Sequence, residues 1–305
     1  MKILVTGGAG FIGSHVVEEF QDKAEVVVLD NFKTGKLDNI KNFKHLLIRG
    51  DINDRDVVRS ALKGVDYVFH MAAMVSVVES MERPAEYTKV NTVGTLTVLE
   101  EAARARVKKL CFCSSSAIYG ENPETPKHEG MKPEPLSPYA ITKLDGEHYC
   151  EMFSRFDRLK TACLRFFNVF GPRQDPKSQY AAAIPIFVSN AVNNNPITIY
   201  GDGEQTRDFV YVKDVVAANF HMAMGNFNGV FNVGYGRKTT INDLVSKIIK
   251  MTSSKSEIKY APPRQGEIRE SIASIDKILS TGFRPSHDFD EGLSATIKFF
   301  MAKKR

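Results

Sequence analysis

Residues 2–13 read Lys-Ile-Leu-Val-Thr-Gly-Gly-Ala-Gly-Phe-Ile-Gly. The opening residues form an apolar strand, and the apolar positions that follow over 16–20 predict a helix. Gly7, Gly10 and Gly13 would allow a tight turn, a close approach of the backbone to a pyrophosphate, and close packing of the helix on the strand. Because the start of a helix presents free N–H groups and a favourable dipole, this stretch predicts a dinucleotide-binding turn.

The next apolar strand, at 25–29, ends in Asp30. An acid at this position would accept hydrogen bonds from both ribose hydroxyls of NAD. Asn31 follows rather than an arginine, and Asp30 would repel a 2′-phosphate, so the pattern favours NAD over NADP. The alternative is a glycine-rich turn in another kind of α/β protein. The order of strand, glycines, helix, strand and acid argues against that alternative.

A second informative stretch, at 137–143, reads Ser-Pro-Tyr-Ala-Ile-Thr-Lys. The Ser-Pro pair predicts a helix start, and on that helix Tyr139 and Lys143 would lie on one face. A lysine ammonium beside a phenol favours the phenolate, so Tyr139 could act as a base well below its free pKa of about 10. Such a pair is usually two surface residues when it stands alone, but here it follows a dinucleotide-binding pattern.

Strand-like and helix-like segments alternate through the first half of the chain. The predicted strands lie near 2–6, 25–30, 45–49, 66–71, 109–114, 160–166, 197–200, 209–212 and 230–233, and the predicted helices near 12–22, 54–62, 84–106, 138–157, 182–193 and 213–224. The alternation predicts an α/β fold, a doubly wound parallel sheet of Rossmann type. It breaks after about residue 168. We therefore predict an NAD-binding domain over 1–168, with a return of the chain near 213–233, and a smaller mixed α/β lobe over 169–305.

Composition predicts neither a nucleic-acid partner nor a membrane span. The net charge is +5, and the basic residues are scattered except for the tail at 303–305. No run of about 18 apolar residues occurs, and the first strand begins too near the N-terminus to leave room for a signal peptide. We therefore expect a cytoplasmic protein.

The chain shows no pattern typical of a metal site. Its four cysteines, Cys111, Cys113, Cys150 and Cys163, form no Cys-x-x-Cys pair, and its seven histidines are dispersed. Reduced, buried thiols are the expectation. His70, at the end of a predicted strand, is predicted to pack or hydrogen-bond rather than to catalyse.

Taken together, the motifs resemble the extended short-chain dehydrogenase/reductase family, and within it the UDP-glucose and UDP-N-acetylglucosamine 4-epimerases. The matching segments are 6–13, 30–31, 50–52, 70–73, 91–95, 114–120, the Tyr139/Lys143 pair, 165–174, 201–210 and 264–267. They run from residue 3 to about 270 in the family's order. The resemblance implies an NAD-dependent enzyme whose second lobe binds a nucleotide sugar.

The family's residue roles can be carried over position by position. The implied catalytic residues are Ser115, Tyr139 and Lys143. The residues implied to contact NAD are Gly7, Gly10, Phe11, Ile12, Gly13, Asp30, Asn31, Asp51, Ile52, Ala72, Ala73, Asn91, Tyr139, Lys143 and Phe167. Those expected to contact the UDP-sugar are Ser76, Ser115, Ser116, Asn168, Ile199, Tyr200, Arg207, Arg264, Glu267 and Ser271. For Arg207, an ion pair with Asp208 or Asp214 is the alternative.

The resemblance implies that Tyr139 takes a proton from the C4 hydroxyl while C4 gives hydride to NAD⁺. A 4-keto intermediate would then turn over and receive the hydride on its other face. No acid stands among the three residues after Ser115, which favours an epimerase over a dehydratase. Ser271, four positions after Glu267, leaves room for a 2-acetamido group. We therefore expect turnover of UDP-GlcNAc/UDP-GalNAc and of UDP-Glc/UDP-Gal.

Three other interpretations stay open at the level of sequence. The chain could be a UDP-glucuronate 4-epimerase or decarboxylase, or a 4-keto-sugar reductase. It could also be a non-catalytic NAD-binding sensor, although such proteins usually lose the tyrosine or the lysine.

The resemblance also predicts an oligomeric state. By analogy with the family, a homodimer is expected through a four-helix interface built from the helices near 84–106 and 138–157.

Overall fold

The computed structural model describes residues 1–176, 182–263 and 269–304. These residues form two compact units. The first comprises Met1–Gly120, Lys132–Phe166 and Val216–Phe231. The second comprises Glu121–Met131, Phe167–Val215 and the described residues from Asn232 onward.

The strands follow one another through both units. They are β1 (Lys2–Thr6), β2 (Glu25–Asp30), β3 (Leu46–Arg49), β4 (Tyr67–His70), β5 (Lys109–Ser115), β6 (Thr161–Phe166), β7 (Asn168–Phe170), β8 (Ile197–Tyr200), β9 (Thr206–Arg207), β10 (Phe209–Tyr211), β11 (Gly229–Val233), β12 (Thr239–Thr240), β13 (Ile258–Ala261) and β14 (Glu270–Ser271).

The α-helices are α1 (Phe11–Phe20), α2 (Arg55–Ala61), α3 (Val77–Glu82), α4 (Pro84–Tyr87), α5 (Gly94–Arg104), α6 (Pro138–Arg155), α7 (Ala183–Asn193), α8 (Val212–Met224), α9 (Ile241–Thr252), α10 (Asp276–Ser280) and α11 (Phe289–Lys304). Short 3₁₀ turns occupy Leu37–Asn39 and Ser116–Tyr119, and a π-helical stretch occupies Thr88–Val93.

A seven-stranded sheet with the order β11-β6-β5-β4-β1-β2-β3 is the centre of the first unit. The pairings that join β1 to β6 in this order are all parallel. Strands buried on both faces read as continuous apolar runs, and β2 and β6 do so. This confirms the predicted doubly wound α/β fold. The carboxyl ends of β1, β2, β4 and β5 meet at one edge of the sheet, where the sequence predicts the functional residues.

Apolar side chains from α2, α5 and α6 pack on one face of this sheet. Val58, Leu99 and Phe153 belong to one buried cluster with the strand residues Leu4 and Phe112. The registers of β5 and β6 pair Ser114 with Arg165 and Ser115 with Phe166. The core cluster therefore packs β5 against α6, and the pairing with β6 fixes the register of the last residues of β5.

The prediction of one helix over 84–106 is wrong in detail. Helix α4 begins at Pro84, as proline in a first turn favours, but the chain then passes through the π-helical stretch before α5 begins at Gly94. A π-helical turn carries an extra residue, and such turns often lie at functional sites. Here it carries Asn91, whose buried amide binds the main chain of Met74. That tertiary contact has no signal in helix periodicity.

The second unit is built from small sheets and helices. Parallel pairs form between β7 and β10 and between β8 and β13, while β9 lies between β12 and β14. Helices α9, α10 and α11 follow the last predicted strand, in a region where the sequence patterns predicted no element.

Candidate active site

The turn between β1 and α1 is closed by glycine. Gly7 has a φ of 67°, and a Cβ there would lie 2.7 Å from the Ala72 nitrogen. A Cβ at Gly13 would lie 2.2 Å from the Gly7 carbonyl oxygen. Gly10 caps α1 without any side-chain hydrogen bond, so the first-turn N–H groups of Phe11 and Ile12 have no intrahelical acceptor. Side chains are thus excluded where a pyrophosphate would need backbone donors.

A cavity of about 860 Å³ opens beside this turn. It brings together eight of the residues that the sequence assigned to the cofactor, namely Gly7, Gly10, Asp30, Asn31, Asp51, Ile52, Ala72 and Ala73. It also contains residues that the sequence analysis missed, among them Lys33, Thr34, Gly35, Glu86 and Lys89. Cavity and glycine turn belong to the same unit.

Two carboxylates of the cavity are held in fixed positions. The oxygens of Asp30 accept hydrogen bonds from the backbone nitrogens of Ala9 (2.9 Å) and Phe32 (2.8 Å). Burial raises the pKa of Asp30, and these two hydrogen bonds oppose the rise. At Asp51 burial also acts to raise the pKa, but hydrogen bonds from Asn53 and Asn31 outweigh it and hold the pKa below its ordinary value. Asn31 Nδ2 donates to Asp51 at 2.8 Å. A residue predicted to contact the ribose is therefore hydrogen-bonded to one predicted to contact the adenine.

An ion pair joins the two sides of the cavity. Lys33 follows β2 and its Nζ contacts the carboxylate of Glu86 on α4. The same Nζ lies 3.7 Å from the sulfur of Met74. Lys33 is separated from Met74 by 41 positions in the chain and from Glu86 by 53. No local pattern could have predicted their contact.

Hydrogen bonds of Asn91 connect Met74, which lines the cavity, to helix α6. Its Oδ1 accepts from the Met74 nitrogen at 2.8 Å, and its Nδ2 donates to the Met74 oxygen at 2.9 Å. The same Nδ2 donates to Thr142 Oγ1 at 3.1 Å. Thr142 directly precedes Lys143, so the amide links Met74 of the cavity to the helix of the predicted catalytic pair.

The three predicted catalytic residues lie together at the end of β5. Ser115 ends that strand, and its hydroxyl lies close enough to the phenol of Tyr139 to lower the pKa of that phenol. Lys143 lies one helical turn after Tyr139, with its Nζ 5.9 Å from the centre of the tyrosine ring. That Nζ donates to the carbonyl oxygen of Cys113 at 2.7 Å. A hydroxyl, a phenol and an ammonium therefore converge, which is an arrangement suited to moving a proton to and from a substrate oxygen.

In the structure, burial opposes the phenolate form of Tyr139 that Lys143 is predicted to favour. Burial raises the pKa of Tyr139 well above its ordinary value, and the effect of the nearby Ser115 hydroxyl offsets only part of this rise in pKa. Burial likewise lowers the pKa of Lys143. Desolvation disfavours the charged form of both groups. A further positive charge is needed before the phenolate becomes the main form near neutrality.

We expect the affinity for NAD⁺ to increase with pH, by up to about tenfold per unit, between the lowered pKa of Tyr139 in the complex and its raised pKa in the free protein. The cationic nicotinamide should lower the raised pKa of Tyr139, so binding releases a proton and higher pH favours it. Calorimetry of NAD⁺ binding in two buffers that differ in ionisation enthalpy measures this proton. NADH, whose nicotinamide is neutral, and the Tyr139→Phe variant should release none. Proton uptake with NAD⁺ would contradict the expectation.

His70 has a structural role, as predicted. Its Nδ1 lies 2.7 Å from Thr6 Oγ1 and its Nε2 2.9 Å from Thr95 Oγ1. Burial, with a smaller contribution from the charge of Lys143, lowers its pKa to about 3, so the ring is neutral near pH 7. All four cysteines are free, as expected, and three of them are buried.

In the second unit, Arg207 and Ser271 are cross-strand partners in β9 and β14. Asn168, at the start of β7, donates from its backbone nitrogen and its Nδ2 to the carbonyl oxygen of Asp208, the residue after Arg207. The carboxylate of Asp208 accepts backbone hydrogen bonds from Tyr235, Gly236 and Ala273. The pairing of β9 with β14 therefore places the guanidinium group of Arg207 beside the small side chain of Ser271.

The other predicted substrate residues fall in different surroundings. Tyr200, with Ala183, Phe187, Asn190, Gln205 and others, lines a second cavity of about 280 Å³, whereas Ile199 is fully buried. Phe167, which the sequence assigned to the cofactor, donates its backbone N–H to the carbonyl oxygen of Val233. The hydroxyl of Ser76 caps α3, and Ser116 begins the 3₁₀ turn after Ser115. Arg264 and Glu267 lie outside the described residues.

Neither a metal site nor a membrane helix emerges from the residues described. Within them, no three His, Cys, Asp or Glu side chains group together as a metal would require. No described helix has the length and apolar character to cross a membrane.

Comparison with known proteins identifies the family. The family model for the NAD dependent epimerase/dehydratase family matches residues 3–234. The chain belongs to this family. The resemblance to extended short-chain dehydrogenases/reductases is thereby confirmed, and NAD is the family's cofactor. The glycine turn, which leaves backbone donors uncovered, and the anchored Asp30 fit that cofactor.

Similar proteins cover the whole chain. A putative UDP-glucose 4-epimerase of Methanocaldococcus jannaschii is 39% identical over 306 residues, with 99% of each chain covered. A UDP-N-acetylglucosamine 4-epimerase of Methanobrevibacter ruminantium, solved in complex with UDP-N-acetylmuramic acid, is 42% identical with a TM-score of 0.96, covering 99% of this chain and 98% of that one. A UDP-glucose 4-epimerase of Thermotoga maritima, solved with UDP-glucose, is 41% identical with a TM-score of 0.96, and both chains are fully covered.

Proposed function

We propose that the chain is an isomerase that inverts C4 of a UDP-hexose by NAD-dependent oxidation and reduction. The observation that carries the proposal is the convergence of three side chains: Ser115 ends β5 and acts on the phenol of Tyr139 in the first turn of α6, and Lys143 follows one helical turn further on, with its Nζ 5.9 Å from the tyrosine ring. These residues lie in the same unit as the dinucleotide cavity. The similar epimerases, which match over the full length of the chain, support the same reaction class.

Each catalytic side chain has a distinct task in this proposal. Tyr139 accepts the proton of the C4 hydroxyl, and it returns a proton to the same oxygen in the second half of the reaction. Ser115 donates a hydrogen bond to that oxygen as it becomes a carbonyl. Lys143 supplies positive charge that stabilises the phenolate. Bound NAD would supply the hydride chemistry at C4, because its oxidised form accepts hydride and its reduced form returns it.

We further propose that the second unit binds the nucleotide. Arg207 would pair with the diphosphate, where a guanidinium can form two hydrogen bonds at once. The cavity beside Tyr200 has the size and the mixed polar and apolar lining that a pyrimidine base would need. Binding energy from this non-reacting part of the substrate would position the sugar for reaction.

The test of the reaction is NMR of the products formed from a panel of UDP-sugars without added cofactor. We expect UDP-glucose and UDP-galactose to interconvert, with no carbon dioxide released from UDP-glucuronate. Because Ser116, Ala117 and Ile118 carry no acid, loss of water from the sugar is not expected. Absence of C4 inversion in every sugar of the panel would overturn the proposal.

We propose that the small side chain of Ser271 lets the enzyme accept UDP-GlcNAc and UDP-GalNAc as well. It lies beside Arg207 in the strand register, where a bulky residue would compete with a 2-acetamido group. The variant Ser271→Tyr should lower kcat/KM for the acetamido pair at least about tenfold, equivalent to about 1.4 kcal/mol, and spare the plain hexoses. Ser271→Ala is the matched control and should spare both pairs. Unchanged acetamido turnover in the tyrosine variant would refute this assignment.

We also propose a homodimer formed through the helices around α5 and α6. Three large apolar side chains support it, since Val93, Ile141 and Phe156 are 50%, 48% and 68% exposed in the single chain. Exposed apolar side chains grouped on neighbouring helices are typical of association surfaces. A sedimentation coefficient of a monomer at micromolar concentration would exclude this dimer.

A further inference from the structure

A buried ion pair joins α6 to β6, one helical turn beyond Lys143. Glu147 lies on α6 one turn after Lys143, and Arg165 lies on β6. Arg165 Nε and Nη2 donate to the two oxygens of Glu147 at 2.8 and 2.7 Å, a bidentate arrangement. Both residues are only 3% exposed. Replacing such a pair by apolar residues is often neutral for stability, so folding alone does not explain it.

The same carboxylate reaches the strand that carries Ser115. The hydroxyl of Ser114 donates to Glu147 Oε1, and Ser114 is itself 2% exposed. Ser114 also pairs with Arg165 in the register of β5 and β6. Glu147 therefore joins the residue before Ser115 to the helix of Tyr139 and Lys143.

Several described titratable groups interact electrostatically with Tyr139 or Lys143, among them Glu147 of α6, His70 of β4, Tyr87 of α4 and Cys113 of β5. Of these four groups, Glu147 carries the charge. Burial lowers the pKa of His70 and raises the pKa of Tyr87 and of Cys113, so all three are uncharged near neutrality. The carboxylate of Glu147 opposes the loss of the proton from the buried Lys143.

We propose that Glu147, held by Arg165 and Ser114, is a positioning residue that keeps Lys143 charged and Ser115 aligned on Tyr139. The proposal rests on the epimerase function proposed above. Without the carboxylate, the Lys143 ammonium becomes less stable in its buried site, and the phenolate of Tyr139 loses its cationic neighbour. The proton affinity of Tyr139 then rises. A pair that only supports the fold would leave that proton affinity unchanged.

The test compares the double variant Glu147→Gln/Arg165→Met with the wild type, both loaded with NAD⁺. We expect the titration of Tyr139 to move up by about one pH unit and kcat at neutral pH to fall about tenfold, with KM unchanged. The titration is followed by tyrosinate absorbance, after subtraction of the same protein carrying Tyr139→Phe. Because the absorbance needs no turnover, it reports on positioning even if the reaction proposed above is wrong.

The matched control is the exposed pair on the same helix, Glu151 and Arg155, whose side chains are 62% and 71% exposed. Glu151→Gln/Arg155→Met removes the same charges and should leave the titration and kcat unchanged. If the buried double variant does not fold, Ser114→Ala removes only the hydroxyl contact and should lower kcat severalfold at unchanged KM. An unmoved Tyr139 titration in a folded double variant, or an unchanged kcat in Ser114→Ala, would overturn the proposal.

Discussion

Replacing Tyr139 by phenylalanine should lower kcat for C4 inversion about a thousandfold while NAD stays bound. The substitution removes the only atom of this side chain that can take the proton of the C4 hydroxyl. It keeps the ring, which lies near Lys143, so the packing of α6 should survive. Turnover of UDP-galactose and the bound NAD content of the purified protein measure the two effects separately.

The control for this variant is Tyr149→Phe on the same helix. Tyr149 packs against the core of the first unit, and the substitution again removes only a hydroxyl group. We expect kcat within about threefold of the wild type. Turnover of the Tyr139→Phe variant at the wild-type rate would remove Tyr139 from the mechanism.

The second large effect is expected at the glycine turn, where Gly13→Ala should weaken NAD binding at least about a hundredfold, or about 2.7 kcal/mol. The added Cβ would lie 2.2 Å from the Gly7 carbonyl oxygen and 2.8 Å from the Cα of Gly8, both backbone atoms. The start of α1 must therefore move away from β1, taking its phosphate-facing N–H groups with it. Quenching of protein fluorescence by NADH measures the affinity.

Ser14→Ala, one residue further along α1, serves as the comparison. It removes a hydrogen bond from Ser14 Oγ to the Phe11 oxygen but adds no atom to the crowded turn. NAD affinity should stay within about threefold of the wild type. Equal losses in both variants would mean that general destabilisation of α1 is responsible, rather than the contact with Gly7.

Local patterns were enough to predict the sheet and to place Tyr139 and Lys143 one turn apart on a helix. The run of strand, glycines, helix and acid depends on neighbours in the chain, and the spacing of Tyr139 and Lys143 depends only on helix geometry. Where a long-range contact overrides periodicity, prediction failed. Asn91 shows this, because its amide binds Met74 and a π-helical stretch replaces the regular helix expected there.

The order of residues alone determined that a phenol and an ammonium share one face of α6 near a dinucleotide turn. It could not determine their protonation, because the cost of burying a charge depends on everything that packs around it. Only the folded chain brings Arg165 to Glu147 across 18 positions and Lys33 to Glu86 across 53. Side chains separated so far in sequence meet through the packing of the sheet and its helices, and no spacing rule encodes that.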